Sequence, residues 1–380
     1  MSQVGRYTVA FDATPLSAPP ESVSSHTMRG IGRYIGGLLD ALTAEQPSWA
    51  NDRLRPVITA ADGIPAAGQP IVTRRVAWRR QDLGWWTAWA LDVLALGRER
   101  TTLWHGLDPN SPLSPLPAGR TVMTAYDLIA LHEPAAMAQI RRHRRAVYSL
   151  YLRRLRSARL VTAISEATAW DVQRTLGVPK DRIRIVYPAI KPGPRGPSTD
   201  SAERDAPDLL FVGVPEPTKQ PELAIGTLAE CRRRGLSIRL RFAGYQRPAD
   251  RARLEALAVA AGVGEAVQFL GRIDDGRLTA LYRQSVLLAV SRLEGFGLPP
   301  VESLFAGGRV VAGSAPVYRE VLGDAADYAG TIDATGFADA YEFAAARPAA
   351  DPPPALVERY SARATAAALI GAYDYAAPPA

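Results

Sequence analysis

Short apolar runs alternate with longer helical patterns twice along this chain, and a polar, proline-rich break separates the two series. Tyr7–Phe11, Pro56–Thr59, Ile71–Trp78, Thr102–His105, Arg120–Thr124, Leu160–Ala163 and Ile183–Tyr187 read as strands. Between them, Ile31, Tyr34, Ile35, Leu38, Leu39 and Leu42 recur close to the 3.6 period and predict a helix over Ile31–Leu42. Trp85–Leu96 is apolar nearly all round and reads as a buried helix. Ala135–Arg156 and Glu166–Leu176 complete the first series. Lys191–Asp208 holds four prolines and two glycines and no apolar periodicity, which marks a linker.

Beyond the linker the alternation restarts. Strands are expected at Leu209–Val212, Ile238–Ala243, Ala266–Leu270, Leu287–Val290 and Arg309–Ala312. Helices are expected at Pro221–Arg234, Ala249–Ala261, Asp275–Gln284, Pro300–Gly307 and Ala315–Leu322. Ala344–Pro354 reads as loop, and Leu356–Tyr375 as a helix that packs back on the first domain. Strands alternating with helices give parallel α/β sheets. The expected domains are therefore 1–190, with 356–375 returning to it, a linker at 191–208, and 209–355. Two such Rossmann-like domains are expected to face each other across a central cleft at their strand C-terminal edges, where open α/β sheets bind ligands.

Composition narrows the function classes. The 380 residues suit two domains, and 47% hydrophobic with 22% charged residues excludes a disordered chain. Cys231 stands alone, so neither an internal disulfide nor a thiolate metal cage can form. No apolar run reaches the roughly 18 residues of a membrane span. Met1–Arg6 leads directly into a strand pattern, so a cytoplasmic protein without a secretory signal is expected. The net charge of +7 favours phosphorylated substrates, anionic lipid or nucleic acid. Arg141–Arg145 and Arg153, Arg154 and Arg156, interleaved with Tyr148 and Tyr151, form a basic aromatic pattern suited to an anionic membrane surface, or simply a solvated helix face. Arg74, Arg75, Arg79 and Arg80 beside Trp78 add to it. No nucleic-acid-binding motif accompanies the charge, so no nucleic-acid partner is expected.

The most informative segment runs from Ser291 to Gly308. Gly295 and Gly297 allow a tight loop with exposed backbone N–H groups, and Pro299 and Pro300 suit the first turn of a helix. A glycine loop at a helix N-terminus is suited to a phosphate. Glu294 before the loop and Glu302 within the helix, eight positions apart, place one carboxylate toward a sugar and the other toward a ribose, with a diphosphate between. Read alone, Glu302 could be a first-turn acid favoured by the helix dipole and Glu294 a surface turn acid, but the whole string is far less expected by chance than either. Lys219 follows a strand and precedes a helix, in a chain whose only other lysines are Lys180 and Lys191. Its ammonium can neutralise a departing diphosphate, or it is a solvated loop lysine. Gly30, Gly32 and Gly36 nearly match a dinucleotide fingerprint, but Ile35 stands where the third glycine should be, which weakens a nicotinamide dehydrogenase and leaves either a helix-start packing role or amides facing the donor phosphates or the acceptor. Asp127 ends a strand and can meet an acceptor hydroxyl or cap a turn. His105 ends another strand and is either cleft-facing or a satisfied structural histidine.

Together these segments resemble the family 4 retaining glycosyltransferases of the GT-B fold. Glu294–Pro299 carries that family's glutamate-glycine-phenylalanine-glycine-leucine-proline run, and Glu294 with Glu302 its Glu-x7-Glu signature. Met28–Tyr34 is similar to the N-terminal glycine loop, Ala125–Pro134 to the acceptor-side histidine-aspartate segment, and Leu160–Glu166 to the strand-serine-glutamate turn. Phe211–Gln220 is similar to the donor-phosphate lysine loop and Val267–Ile273 to the base-contacting strand end. The resemblance implies transfer of a hexose-type sugar from a nucleotide-diphospho-sugar to an acceptor hydroxyl, with retention and without a required metal or cofactor. It implies Glu294, Lys219 and Asp127 as catalytic residues. Glu302, Gly295, Phe296, Gly297, Leu298, Gly213, Arg272 and Ile273 are implied on the donor side, and Gly30, Gly32, Arg33, His105 and Tyr126 on the acceptor or phosphate side. The chain departs from the family in three places. Tyr126 replaces the family's histidine, and Thr218 and Val214 stand where many members have a phosphate-binding arginine, which leaves Arg272 or Arg292 to supply it. These departures motivate the alternative of a non-catalytic nucleotide-sugar-binding protein.

Overall fold

In a computed structural model, the described residues are 7–12, 25–57, 102–107, 109, 114, 116–133, 142–191, 206–348 and 350–378. The expected strand Ile71–Trp78, helix Trp85–Leu96, arginines 74, 75, 79 and 80, and most of the 191–208 linker lie outside them. The chain divides into two compact units, Met1–Ala189 with Arg359–Ala380, and Ile190–Glu358.

The first unit is built on six parallel strands, β1 (Val9–Asp12), β2 (Leu54–Val57), β3 (Leu103–Gly106), β4 (Thr121–Ala125), β5 (Leu160–Ala163) and β6 (Ile183–Ile185). Their order is β2-β1-β3-β4-β5-β6. Strands β1 and β3 to β5 are buried along their length, because helices screen both faces of a parallel sheet. Helix α1 (Ser25–Glu45) buries Tyr34, Ile35, Leu38, Leu39 and Leu42, the stripe visible in the sequence. It begins six residues before the expected start. Helices α2 (Pro47–Arg53), α3 (Ile129–His132), α4 (Arg142–Ser157) and α5 (Glu166–Leu176) follow. Ser165 caps α5 by accepting the Thr168 N–H at 2.9 Å, and Gly177, at φ +69°, closes it.

The expected C-terminal helix is two. The first ends at Arg359, and the second (Ala362–Ala376) starts behind Ser361, whose Oγ accepts the Ala364 N–H at 3.1 Å. This second helix belongs to the first unit. Tyr7 donates to Asp374 Oδ1 at 2.5 Å, and the Tyr373 ring stacks on Trp49 with centroids 5.8 Å apart.

The second unit carries β7 (Asp208–Val212), β8 (Leu240–Ala243), β9 (Val267–Gly271), β10 (Ser285–Ala289), β11 (Arg309–Ala312) and β12 (Asp327–Tyr328), all parallel, in the order β12-β11-β10-β7-β8-β9. Its helices are α6 (Pro221–Arg233), α7 (Pro248–Ala260), α8 (Asp275–Gln284), α9 (Leu298–Phe305), α10 (Pro316–Leu322), α11 (Ala334–Ala346) and α12 (Pro354–Arg359). Phe211, Phe242 and Phe337 lie in one core, with Phe242 stacked on Phe269 at 5.0 Å. Chain order runs outward from β7 through β8 and β9, then jumps back to β10 on the other side of β7. The boundary between β7 and β10 is therefore the topological switch point, where helices depart to opposite faces and the strand ends leave a crevice.

Candidate active site

Lys219 and Glu294 meet at that switch point. Gly213, at φ +133°, follows β7, and the chain turns through Pro217–Lys219 before α6. After β10 the chain passes through Ser291, Glu294 and the glycine loop into α9. The Lys219 Nζ donates to Glu294 Oε1 at 2.7 Å, with the two side chains 24% and 17% exposed. Ser291 donates its hydroxyl to the same oxygen at 2.9 Å. The Arg292 N–H donates to the Thr218 carbonyl at 2.9 Å, which ties the two loops at the backbone. Gln220, at φ +43°, is the only non-glycine residue with positive φ among the described residues. Such a conformation costs energy and persists where the surroundings over-determine it, here directly after Lys219.

Glycine is required at two further points. A Cβ on Gly244, which follows β8, would fall 2.5 Å from the Gly213 carbonyl oxygen, so the ends of β7 and β8 approach too closely for a side chain. Gly297, at φ +86°, is the N-cap of α9, and a Cβ there would fall 2.9 Å from the Tyr318 ring. Gly295 and Phe296 are buried, and Leu298, half-buried, opens the helix. Pro299 and Pro300 carry no N–H, so Leu298 is the only residue of α9's first three positions that can offer one. The start of α9 therefore offers fewer N–H groups to an anion than the expected helix N-terminal site, and the other amides lie in the preceding loop.

Glu302 is the fifth residue of α9, and no acid occupies the first turn. The reading of a first-turn acid favoured by the dipole is therefore corrected. Its Oε2 accepts the Tyr282 hydroxyl, from the last turn of α8, at 3.0 Å. Arg272 and Ile273 follow β9. Arg272 is exposed, with its guanidinium 5.4 Å from the Tyr245 ring centroid, and Ile273 is half-buried.

Ser291, Tyr282 and Tyr318 were not singled out in the sequence. Tyr318 is wholly buried, and desolvation drives its hydroxyl pKa well above the ordinary tyrosine value, partly offset by hydrogen bonding from Ser291. Ser291 and Glu294, three residues apart across a turn, form a spacing that a sequence can reveal. The Tyr318 contact arises only from tertiary packing.

The residues assigned to the first unit are placed differently. His105 is 0% exposed: Nδ1 meets the Tyr373 hydroxyl at 2.7 Å and Nε2 meets Thr124 Oγ1 at 2.8 Å. Burial pushes its pKa down to about 3, so the ring is neutral. The expectation of a cleft-facing His105 is corrected, because both nitrogens are spent inside the core. Tyr126 is also buried and donates its hydroxyl to the Leu107 carbonyl at 2.8 Å, so its place on the acceptor side is corrected as well. Asp127 is half-buried and accepts the Ile129 N–H at 3.1 Å, holding the start of α3. Gly30 and Gly32 lie inside α1, beyond its first turn, where helical amides bond to preceding carbonyls. A phosphate-facing glycine loop at these positions is therefore corrected to a helix interior. Arg33 on the same helix is exposed.

On α4, Arg144, Arg145, Arg153 and Arg156 are exposed, whereas Tyr151, Leu152 and Leu155 are buried. Tyr151 donates to the Thr124 carbonyl at 2.8 Å. Tyr151 therefore faces inward with the core, and Tyr148 packs beside it at 6.0 Å, so the expected interleaving of aromatics with exposed arginines is corrected. No helix among the described residues is long and apolar enough to cross a membrane.

Comparison with known proteins bears on the family and the fold. Residues 28–193 match the family described as Glycosyltransferase Family 4, and residues 199–352 match Glycosyl transferases group 1. The chain is 32% identical over 173 residues to a D-inositol 3-phosphate glycosyltransferase of Acidothermus cellulolyticus, covering 40% of this chain and 38% of that protein. It is 41% identical over 71 residues to the lipopolysaccharide core biosynthesis mannosyltransferase LpcC of Rhizobium leguminosarum bv. viciae, covering 18% and 20%. The matched stretch thus spans less than half the length of these curated relatives. Among solved structures, Anabaena Alr3699/HepE in complex with UDP and glucose superposes with a TM-score of 0.68 at 16% identity, covering 97% of this chain and 99% of that one. The sucrose-phosphate synthase of Thermosynechococcus elongatus superposes with a TM-score of 0.65 at 19% identity, covering 97% and 94%.

Proposed function

The chain belongs to the family 4 glycosyltransferases of the GT-B fold, and we propose that it moves a hexose-type sugar from a nucleotide-diphospho-sugar to an acceptor hydroxyl with retention at the anomeric carbon. The observation that carries this reading is the pairing of Lys219 with Glu294 at the β7–β10 switch point, beside the Gly295–Leu298 loop. The Lys219 ammonium, a compact charge carrying several N–H donors, meets the diphosphate oxygens. Glu294 then accepts from a sugar hydroxyl and orients C1. Glu302, held by Tyr282, accepts from the ribose diol. In the reaction the bond from C1 to the phosphate oxygen breaks and the acceptor oxygen bonds to C1. The acceptor proton leaves with the nucleoside diphosphate. Lys219 and the loop amides stabilise the charge that develops on the departing phosphate, a role of positioning and electrostatics. Because these groups meet that charge, turnover is expected to survive a chelator.

The acceptor is assigned to the first unit, with Asp127 near it. A glycolipid, a polysaccharide or a secondary metabolite fits this reading. The test is incubation with UDP-, GDP- and dTDP-hexoses and detection of free nucleoside diphosphate, followed by NMR assignment of the product anomer. Release with retained configuration supports the proposal. Binding of a nucleotide sugar without release, across an acceptor panel, would favour a non-catalytic binding protein.

A further inference from the structure

The resemblance leaves a gap, since Thr218 and Val214 stand where many family members carry an arginine against the diphosphate. We infer that Arg292 fills it, supplying from the β10 loop the guanidinium that the β7 loop lacks; the inference rests on the nucleotide-diphospho-sugar donor proposed above. The Arg292 N–H donates to the Thr218 carbonyl at 2.9 Å, so its backbone sits against the residue where the arginine is missing. Three bonds close the same small ring: Arg292 to Thr218, Lys219 to Glu294 at 2.7 Å, and Ser291 to Glu294 at 2.9 Å. The ring fixes the Arg292 backbone against Thr218, the residue before Lys219, and the Arg292 side chain is exposed.

Arg272 is the other candidate, and the geometry sets it aside. Its guanidinium lies over Tyr245, at the end of β9. β8 separates β9 from β7, so Arg272 starts about 10 Å from the Lys219 strand, two strand spacings away. That placement suits the base side of a nucleotide. Beside Lys219 the two cations divide the work. The ammonium acts as a point charge, and the planar guanidinium fork grips two oxygens of one phosphate.

The test is calorimetric titration of UDP against UMP, GDP against GMP and dTDP against dTMP. Wild type is expected to bind one diphosphate more tightly than its monophosphate. In Arg292→Gln the diphosphate should weaken by about 10- to 100-fold, while the monophosphate changes little. Arg292→Lys, which keeps the charge and loses the fork, should recover part of the difference, and an unchanged melting temperature in both variants shows the fold is intact. Arg272→Gln should weaken diphosphate and monophosphate alike. An unchanged diphosphate preference in Arg292→Gln overturns the inference, as does loss of that preference in Arg272→Gln. If wild type binds none of the diphosphates, the donor reading itself fails. If it binds them and only the Arg292 result is negative, the donor reading stands without this arginine.

Discussion

Gly297 shows how little freedom the loop allows. Its φ of +86° and the Tyr318 ring, 2.9 Å from where a Cβ would sit, act together. Gly297→Ala should cost about 1–3 kcal/mol in urea unfolding, from backbone strain and overpacking combined. It should also slow turnover, because the same residue starts the helix that carries Glu302. His105 gives a pH signature. Its folded pKa is about 3, against an ordinary value of about 6.5 in the unfolded chain. Between those values the unfolded chain binds the extra proton, so His105's contribution is fully present above pH 6.5 and is lost as the pH falls toward 3. The slope reaches up to about 1.4 kcal/mol per pH unit for one such group. His105→Gln should therefore flatten the fall in unfolding free energy between pH 6.5 and 4. A fall as steep as that of wild type would contradict the buried-imidazole reading.

At the scale of elements, aromatic and hydroxyl contacts help hold the C-terminal helix. Tyr373 is wholly buried, stacks on Trp49 and binds His105. Tyr373→Phe should cost about 1 kcal/mol and Tyr373→Ala about 3–5 kcal/mol, measured by denaturant unfolding. The α4 helix offers a different test. Its exposed arginines attract an anionic surface by charge alone, at about 1 kcal/mol each near a lipid headgroup layer. Sedimentation with phosphatidylglycerol vesicles at low salt should fall when Arg145, Arg153 and Arg156 are changed to Gln; equal binding by wild type and variant would remove α4 as the contact. This scale also shows what the sequence made legible. Strand-helix alternation and the stripe of α1 were readable because burial imposes periods of 2 and 3.6 on apolar residues. The start of α1 was not, because glycines at 30 and 32 look like a loop until the buried stripe of Tyr34 to Leu42 holds them in a helix. His105 was ambiguous for a related reason, since its partner Tyr373 lies 268 residues away. On α4 the inward side was legible, because Tyr148, Tyr151, Leu152 and Leu155 recur at i, i+3, i+4 and i+7 and the buried stripe follows them.

Across the whole molecule two open parallel sheets recur, and the second brings Lys219 and Glu294 together where chain order reverses. Glu294 and Lys219 were legible as types and spacings. Their contact was not, because it joins loops 75 residues apart that only the β7–β10 adjacency brings together. Steady-state turnover of the preferred nucleotide sugar by wild type, Lys219→Ala and Glu294→Gln, with melting temperatures recorded alongside, addresses that contact most directly. The account predicts intact folds and a fall in kcat of about 100-fold or more in each variant, since each removes charge stabilisation or orientation at the reacting centre. Variants that stay folded and turn over at the wild-type rate would contradict it.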